Sequence, residues 1–422
     1  MTRPKILFFA ALLFIVYATT VPFDFTEAPS LARTMWIPFW DSQHHRRAGL
    51  ADMVQNIVLF LPLGFFAVVA WPRGWRAVVL ATLVGAALSA SVEVVQTMTL
   101  SRTSSVTDLI MNSSGALAGA AFGLSYTARL AAPAERAVDR LIARSPELAV
   151  LIGLFLIAAL VLWAPFVPSL DISKLRAQVR GLIDSGLLDG GLGRMVPDIV
   201  LFAGIGVMLG RAARALLGRA AIPIAFGLVI ALAAGAELGQ LFIVYRHAAK
   251  GDLLADLIGG VLGVAVAASP LGRHPALGVC FAVGLPAARA LAPFEIVPLD
   301  ALLSDIRMER LLPFSELFGN LRLTTFTNVI ETAACYAPCG FILASRQRSA
   351  RSAFLFAALL AVILEFLQIP IAGRTYDLGE AALGAFGALA GAWAFHRIFQ
   401  PGPRSSGGAI ADRHTIGESG PP

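Results

Sequence analysis

The chain has 422 residues, of which 57% are hydrophobic and only 14% are charged, and its mean hydropathy is +0.75. Soluble domains carry about 25% charged residues, so the composition excludes a soluble protein with polar-surfaced domains. The formal net charge is +6, but the arginines lie in short segments between apolar runs and form no basic face. This placement is typical of membrane topology, and we expect no nucleic-acid partner.

Apolar stretches that are long enough to cross a hydrocarbon core predict twelve helices. In chain order they span 5–21, 53–71, 76–98, 108–128, 147–165, 197–213, 222–243, 253–270, 276–292, 328–345, 352–370 and 379–398. The first stretch is expected to be a retained helix, because no small-residue cleavage site follows it. The predicted fold class is an all-α, polytopic transmembrane protein.

The connections between these stretches alternate in charge. One set is short and basic, whereas the other mixes charges of both signs and includes the longer segments 22–52, 166–196 and 294–326. The positive-inside rule then places both termini in the cytoplasm and the long loops outside. We therefore predict a multi-pass protein of the bacterial inner membrane, with a disordered cytoplasmic tail over residues 401–422, which are rich in Gly, Pro and Ser.

One polar pattern, E-x2-Q-x5-R-x5-[DE]-x3-[NDG]-x2-G-x3-G, occurs three times without a gap. It begins near the outer end of the third, seventh and eleventh predicted helices. The candidate binding residues that it contains are Glu93, Gln96, Arg102, Asp108, Asn112, Glu237, Gln240, Arg246, Asp252, Asp256, Glu365, Gln368, Arg374 and Glu380. Acidic residues are rare in apolar helices, so three occurrences in one register indicate an internal repeat.

Each predicted repeat contains four helices, an even number, so every repeat enters the membrane in the same orientation. This predicts three parallel repeats about an axis along the membrane normal. Their boundaries are 1–145, 146–272 and 273–400.

A weaker element lies upstream of each pattern. In the first repeat it runs from Asn56 through Pro62 to Gly64, and Ile37-Pro38-Phe39 is echoed by Leu312-Pro313-Phe314 in the third. Together these motifs resemble those of the VanZ-like family, small four-helix membrane proteins named for a determinant of teicoplanin resistance. The resemblance is best over residues 1–128, and an ordinary member would be a single repeat. Departures from the family pattern occur at Gly204, Asp256, Thr332 and Gly384.

Two interpretations of the repeated motif stay open. In the first, its polar residues form a clamp that pins the outer end of a hairpin between the third and fourth helices, packed closely through Gly115 and Gly119. In the second, the motif is an outward-facing site at which Arg102 binds a phosphate or carboxylate and Glu93 handles a proton.

The preferred functional hypothesis is a non-enzymatic envelope protein that binds an anionic lipid or a lipid-linked cell-wall precursor at its outer face. Its link to the glycopeptide response is implied by the family resemblance. One alternative is an enzyme acting on such a lipid, with Glu93 as base and Arg102 as anion clamp. The other is a transporter or flippase with the glutamates along its pathway. No nucleophile, zinc or phosphate-loop motif is found, so no catalytic residue, metal or cofactor is assigned.

Three other features have simpler interpretations. Cys335 and Cys339 lie one helical turn apart and are expected to be packing residues, since two thiols make a poor metal site. His44 and His45 are expected to be solvated. The segment 171–194 is interpreted as an amphipathic helix on the outer membrane face or, equally, as an ordinary solvated loop helix.

Overall fold

The computed structural model describes residues 3–298 and 323–399, apart from positions 22, 27, 43, 44, 190, 347, 373, 375 and 376. The predictions for His44, for Leu312-Pro313-Phe314 and for the tail lie outside these residues. Within them are fourteen α-helices: α1 Arg3–Thr20, α2 Leu50–Ala70, α3 Trp75–Gln96, α4 Val106–Arg129, α5 Ala131–Arg144, α6 Glu147–Trp163, α7 Ile172–Asp184, α8 Leu192–Leu217, α9 Ile222–Gln240, α10 Lys250–Ala268, α11 Ala276–Leu291, α12 Leu323–Ser345, α13 Ala350–Leu367 and α14 Leu378–Phe399. A short antiparallel pair, β1 Trp40–Asp41 and β2 Arg46–Arg47, lies between α1 and α2.

Every predicted helix overlaps an observed one, and α5 and α7 are additional. The α5 segment was predicted as a short basic connection, but its arginines alternate with apolar residues at helical spacing, so it folds as an amphipathic helix. Its axis makes an angle of 106° with that of α6. The segment predicted as one amphipathic helix at 171–194 contains α7, which ends at Asp184, and the first residues of α8. Helix α7 begins where the Asp171 side chain accepts a hydrogen bond from the backbone N–H of Ser173 (2.8 Å).

Seven of the described helices are long and apolar enough to cross a membrane: α2, α3, α8, α9, α10, α13 and α14. The bent pair α5–α6 would add an eighth if it is counted as one span, while α1 and α11 are shorter apolar helices. The chain is therefore a multi-pass membrane protein. The full set of twelve crossings stays a prediction.

The closest helix packing is between α2 and α4. A Cβ atom added at Gly64 of α2 would lie within 3.0 Å of the Ala116 carbonyl, and one added at Gly119 of α4 would lie equally near the Leu61 carbonyl. Only glycine at both positions lets the two backbones approach so closely. The pairs α8–α10 and α12–α14 pack in the same way, through Gly206, Gly259 and Gly263 and through Gly340, Gly387 and Gly391.

The prediction that Gly115 and Gly119 pack α4 tightly against α3 was wrong, because both glycines face α2. The adjacent positions of α4 turn toward α3, where Ala116 meets Gly85 and Ala120 packs with Ala81. Helix α4 thus presents one stripe of small residues to α2 and another to α3. The hydrophobic pattern of the sequence does not distinguish the two stripes.

The second and third predicted repeats share one hydrophobic core. Helix α11 packs on α8, α6 contacts α12, and one cluster of buried residues contains Leu201, Leu285 and Cys335. Cys335 and Cys339 are both buried, as their predicted packing role requires, and the Cys339 thiol donates to the Ala282 carbonyl (2.7 Å).

Replacing Gly119 with alanine should lower the free energy of unfolding by about 1–3 kcal/mol, because the new methyl group would overlap the backbone of α2. The control is Gly153→Ala on α6, where an added Cβ meets nothing within 4 Å. That change should be neutral or stabilising by up to about 1 kcal/mol. Thermal unfolding of the purified chain in detergent measures both, and a Gly119→Ala variant as stable as the wild type would contradict the close packing.

Candidate functional site

Arg102 caps the C-terminal end of α1. Its Nε donates to the Val21 carbonyl (3.1 Å) and its Nη2 to the Ala18 carbonyl (3.2 Å). Carbonyls in the last turn of a helix have no partner within the helix, and a cation there also complements the helix dipole. The loop that carries Arg102 is thereby fixed to a helix that ends about eighty residues earlier in the chain.

The other two arginines of the repeated motif make the same contacts. Arg246 donates to the Ala164 and Val161 carbonyls at the end of α6 (2.5 and 2.7 Å). Arg374 donates to the Ala292 and Arg289 carbonyls at the end of α11 (2.7 and 2.5 Å). The sequence predicted an arginine near the membrane surface in each repeat, but it did not reveal this capping.

The glutamates of the motif bind the backbone twelve residues further along the chain. Glu93 accepts a hydrogen bond from the N–H of Ser105 (2.7 Å), the N-cap residue of α4. In the same way Glu237 accepts from Ala249 (3.1 Å) and Glu365 from Asp377 (2.9 Å). Each glutamate therefore ties the end of one helix to the start of the next and satisfies a backbone donor that helix geometry leaves free.

In the first repeat the remaining predicted residues also bind protein groups. The Gln96 amide donates to the Thr19 carbonyl (3.3 Å). Asp108 accepts from the Asn56 amide (2.7 Å), which links α4 to α2, and Asn112 donates to the Ser89 hydroxyl (2.9 Å). These contacts place the first-repeat residues along one polar path that runs from the loop between α3 and α4 into the helix bundle.

In the other two repeats the remaining residues have more varied surroundings. Gln240 is buried, Asp252 is half-buried in the first turn of α10, and Asp256 is only 1% exposed one turn further on. In the third repeat Gln368 donates to Glu365, and Glu380 lies in the first turn of α14.

An ion-pair network that the motif did not reveal joins the second and third predicted repeats. Glu331 of α12 is 6% exposed, and its carboxylate forms ion pairs with Nη2 of Arg246 (2.5 Å) and Nη1 of Arg289 (2.7 Å). Glu331 and Arg289 both lie within predicted apolar helices. Since an ionisable residue in such a helix needs a partner, their presence there was the available signal.

A second guanidinium lies beside Arg102. Arg33 donates to the carbonyls of Leu100 (2.9 Å), Arg102 (2.8 Å) and Thr99. Burial lowers the pKa of the Arg102 guanidinium from its ordinary value, but arginine in proteins remains protonated. The segment between α1 and α2 and the loop between α3 and α4 thus each contribute one positive charge to this part of the structure.

Residues 6–127 match the family model described as VanZ/LLP1. This segment is VanZ-like. It contains α1 to α4 and the whole first occurrence of the motif, including Glu93 and Arg102, so the family resemblance is supported for the first repeat. No curated protein and no solved structure matches the chain.

Replacing Glu331 with alanine should lower the free energy of unfolding by about 3–5 kcal/mol, because Arg246 and Arg289 would both lose a buried counter-charge. Arg46→Ala is the control, since it removes the ion pair to Asp41 by changing an exposed side chain and should cost at most about 1 kcal/mol. Chemical unfolding in detergent compares the two, and equal losses would show that the network contributes no more than a surface pair.

Proposed function

We propose that this is an inner-membrane protein of three tandem VanZ-like repeats that binds an anionic headgroup at its outer face. The headgroup belongs to a membrane lipid or to a lipid-linked envelope precursor, and binding it would influence the envelope and its response to glycopeptides. The observation that carries the proposal is the fixed guanidinium of Arg102, which keeps donors available after capping α1.

The hydrogen-bond geometry of Arg102 supports anion binding. Its contacts use Nε and Nη2, and among the described residues Nη1 has no hydrogen-bond partner and is not one of the buried, unsatisfied atoms. A guanidinium already held by two carbonyls loses little conformational freedom when its remaining N–H groups bind an anion. Phosphate and carboxylate oxygens are the acceptors that suit it best.

The charges around the three arginines favour the first repeat. Arg246 already pairs with Glu331, so its charge is compensated. In the described part of the chain no carboxylate lies within ion-pair distance of Arg102, although the charges of Asp24 and Asp108 act on it. Arg33, in the segment between α1 and α2, donates to the Arg102 backbone carbonyl and brings a second positive charge close to the loop between α3 and α4. The first repeat therefore offers an anionic headgroup a less compensated arginine than the second repeat does.

The recurrence of the contacts supports the three-repeat arrangement. Each arginine caps the helix that opens its own repeat, each glutamate binds the backbone twelve residues ahead, and a short bridge joins the two segments in each case. The bridges pair Phe25 with Thr99, Pro168 with Ile243 and Ile296 with Ile371. These contacts are also those of a structural clamp, and the proposed ligand would use only the donors that the clamp leaves over.

The test is lipid analysis of the full chain purified in mild detergent, as wild type and as Arg102→Ala. One anionic lipid class should co-purify with the wild type and fall at least about tenfold in the variant, as expected for the loss of about 1.4 kcal/mol or more of charge-assisted binding.

The matched control is Arg211→Ala. Arg211 also donates from Nε to a backbone carbonyl, that of Gly272 (2.6 Å), but near the C-terminal end of α8. This variant should lose stability and keep the wild-type lipid. If Arg102→Ala loses stability while its lipid content matches that of the wild type and of Arg211→Ala, the motif is a clamp alone.

A further inference from the structure

The second repeat concentrates carboxyl groups where the first carries amides. Asp198 of α8, Glu237 of α9, and Asp252 and Asp256 of α10 act electrostatically on one another, and the charges of the other three all act on Asp256. The corresponding residues of the first repeat are Asn56, Glu93, Asp108 and Asn112. Two uncharged amides are thus replaced by two acids, and the cluster has four carboxyl groups instead of two.

Asp256 is the innermost member of this cluster and has no hydrogen-bond partner. It is 1% exposed, and neither Oδ1 nor Oδ2 is bonded to any described residue. Glu237, which is 3% exposed, uses only Oε2, for the Ala249 N–H, and its Oε1 is also without a partner. In the first repeat Asn112 donates to Ser89, but the residue corresponding to Ser89 is Ala233, which has no hydroxyl group.

The cations near the cluster lie at its outer end. Arg246 acts on Asp198 and Asp252, and Arg289 acts on Asp198, where the charge of Glu331 opposes it. No cation is among the groups that act on Asp256. The negative charges of Asp198 and Asp252 are therefore partly compensated by arginines, whereas Asp256 is influenced only by other acidic residues.

We propose that the second repeat binds protons at this cluster, with Asp256 as the innermost proton acceptor. An uncompensated carboxylate is too costly to bury, so it takes up a proton instead. The acquired O–H can then donate to a neighbouring carboxylate, the strongest kind of hydrogen bond available to such a pair. The described residues include no group of three or more His, Cys, Asp or Glu placed to hold a metal ion, so the proton is the ligand that fits. This site is independent of the anion site at Arg102.

A proton held in the folded protein and released on unfolding makes stability depend on pH. Free aspartate titrates near pH ~4, so the full contribution is present below that value and is lost as pH rises and the folded protein gives up its proton. Asparagine at position 256 is nearly the same shape as a protonated aspartate and is the residue that the first repeat carries at Asn112. It should fold, and it should remove the pH dependence.

The experiment is infrared spectroscopy of the full chain in lipid nanodiscs at neutral pH, in H2O and in D2O. The wild type should show a carboxylic acid C=O band that shifts in D2O, and Asp256→Asn should lose it. The control Asp139→Asn makes the same change on the exposed face of α5 and should keep the band. If Asp256→Asn does not fold, Glu237→Gln takes its place and should shift or weaken the band, because it changes the neighbour of the protonated group.

Thermal unfolding of the same samples across the neutral and alkaline range is the second measurement. The wild-type Tm should fall as pH rises, and the Tm of Asp256→Asn should stay level. A wild type with no such band at neutral pH, or with a band unchanged in Asp256→Asn and in Glu237→Gln, would overturn the proposal. So would a Tm that rises with Na⁺ concentration at fixed pH, since that would identify a metal cation as the ligand.

Discussion

The structure depends on the need to satisfy backbone carbonyls at helix ends that lie in or near the membrane. The carbonyls in the last turn of a helix have no partner within the helix, so those at the ends of α1, α6 and α11 need donors from elsewhere in the chain. Arg102, Arg246 and Arg374 supply it. Because each arginine lies between two further helices, this capping also fixes the position of the helix that opens each repeat relative to the pair that follows.

The proposed anion site and the proposed proton site are both departures from this shared arrangement. In the first repeat Arg102 keeps spare donors, and Arg33 donates to its backbone carbonyl, so two positive charges lie near the loop between α3 and α4. In the second repeat Arg246 is paired with Glu331 across the interface, and the substitution of Asp256 for an amide leaves an acid without a partner. The first and second predicted repeats thus share a framework but differ in their electrostatic environments, and the two proposed functions follow from that difference.

Much of the helical architecture could be predicted from the sequence because apolar length and charge alternation are local signals, as at α2 and α9. The partners of the polar residues could not, since Arg102 and Val21 are 81 residues apart and nothing in the motif marks a carbonyl as an acceptor. The glycines show the same limit, because the spacing of Gly115 and Gly119 predicts close approach but not which neighbour is approached. The role of Glu331 could not be predicted from the repeated motif, because Glu331 lies outside it and its partners Arg246 and Arg289 are far from it in the chain.

The central claim, that three parallel repeats present their arginine loops on one side of the membrane, is tested most directly by labelling introduced cysteines in spheroplasts. Ser101→Cys, Tyr245→Cys and Ala372→Cys each place a thiol beside one of the three arginines, in a chain whose exposed Cys280 has been changed by Cys280→Ser. A membrane-impermeant maleimide added from outside should label all three positions before lysis. If any one of them reacts only after the membrane is broken, that repeat is inverted or does not cross the membrane as proposed, and the parallel arrangement is wrong.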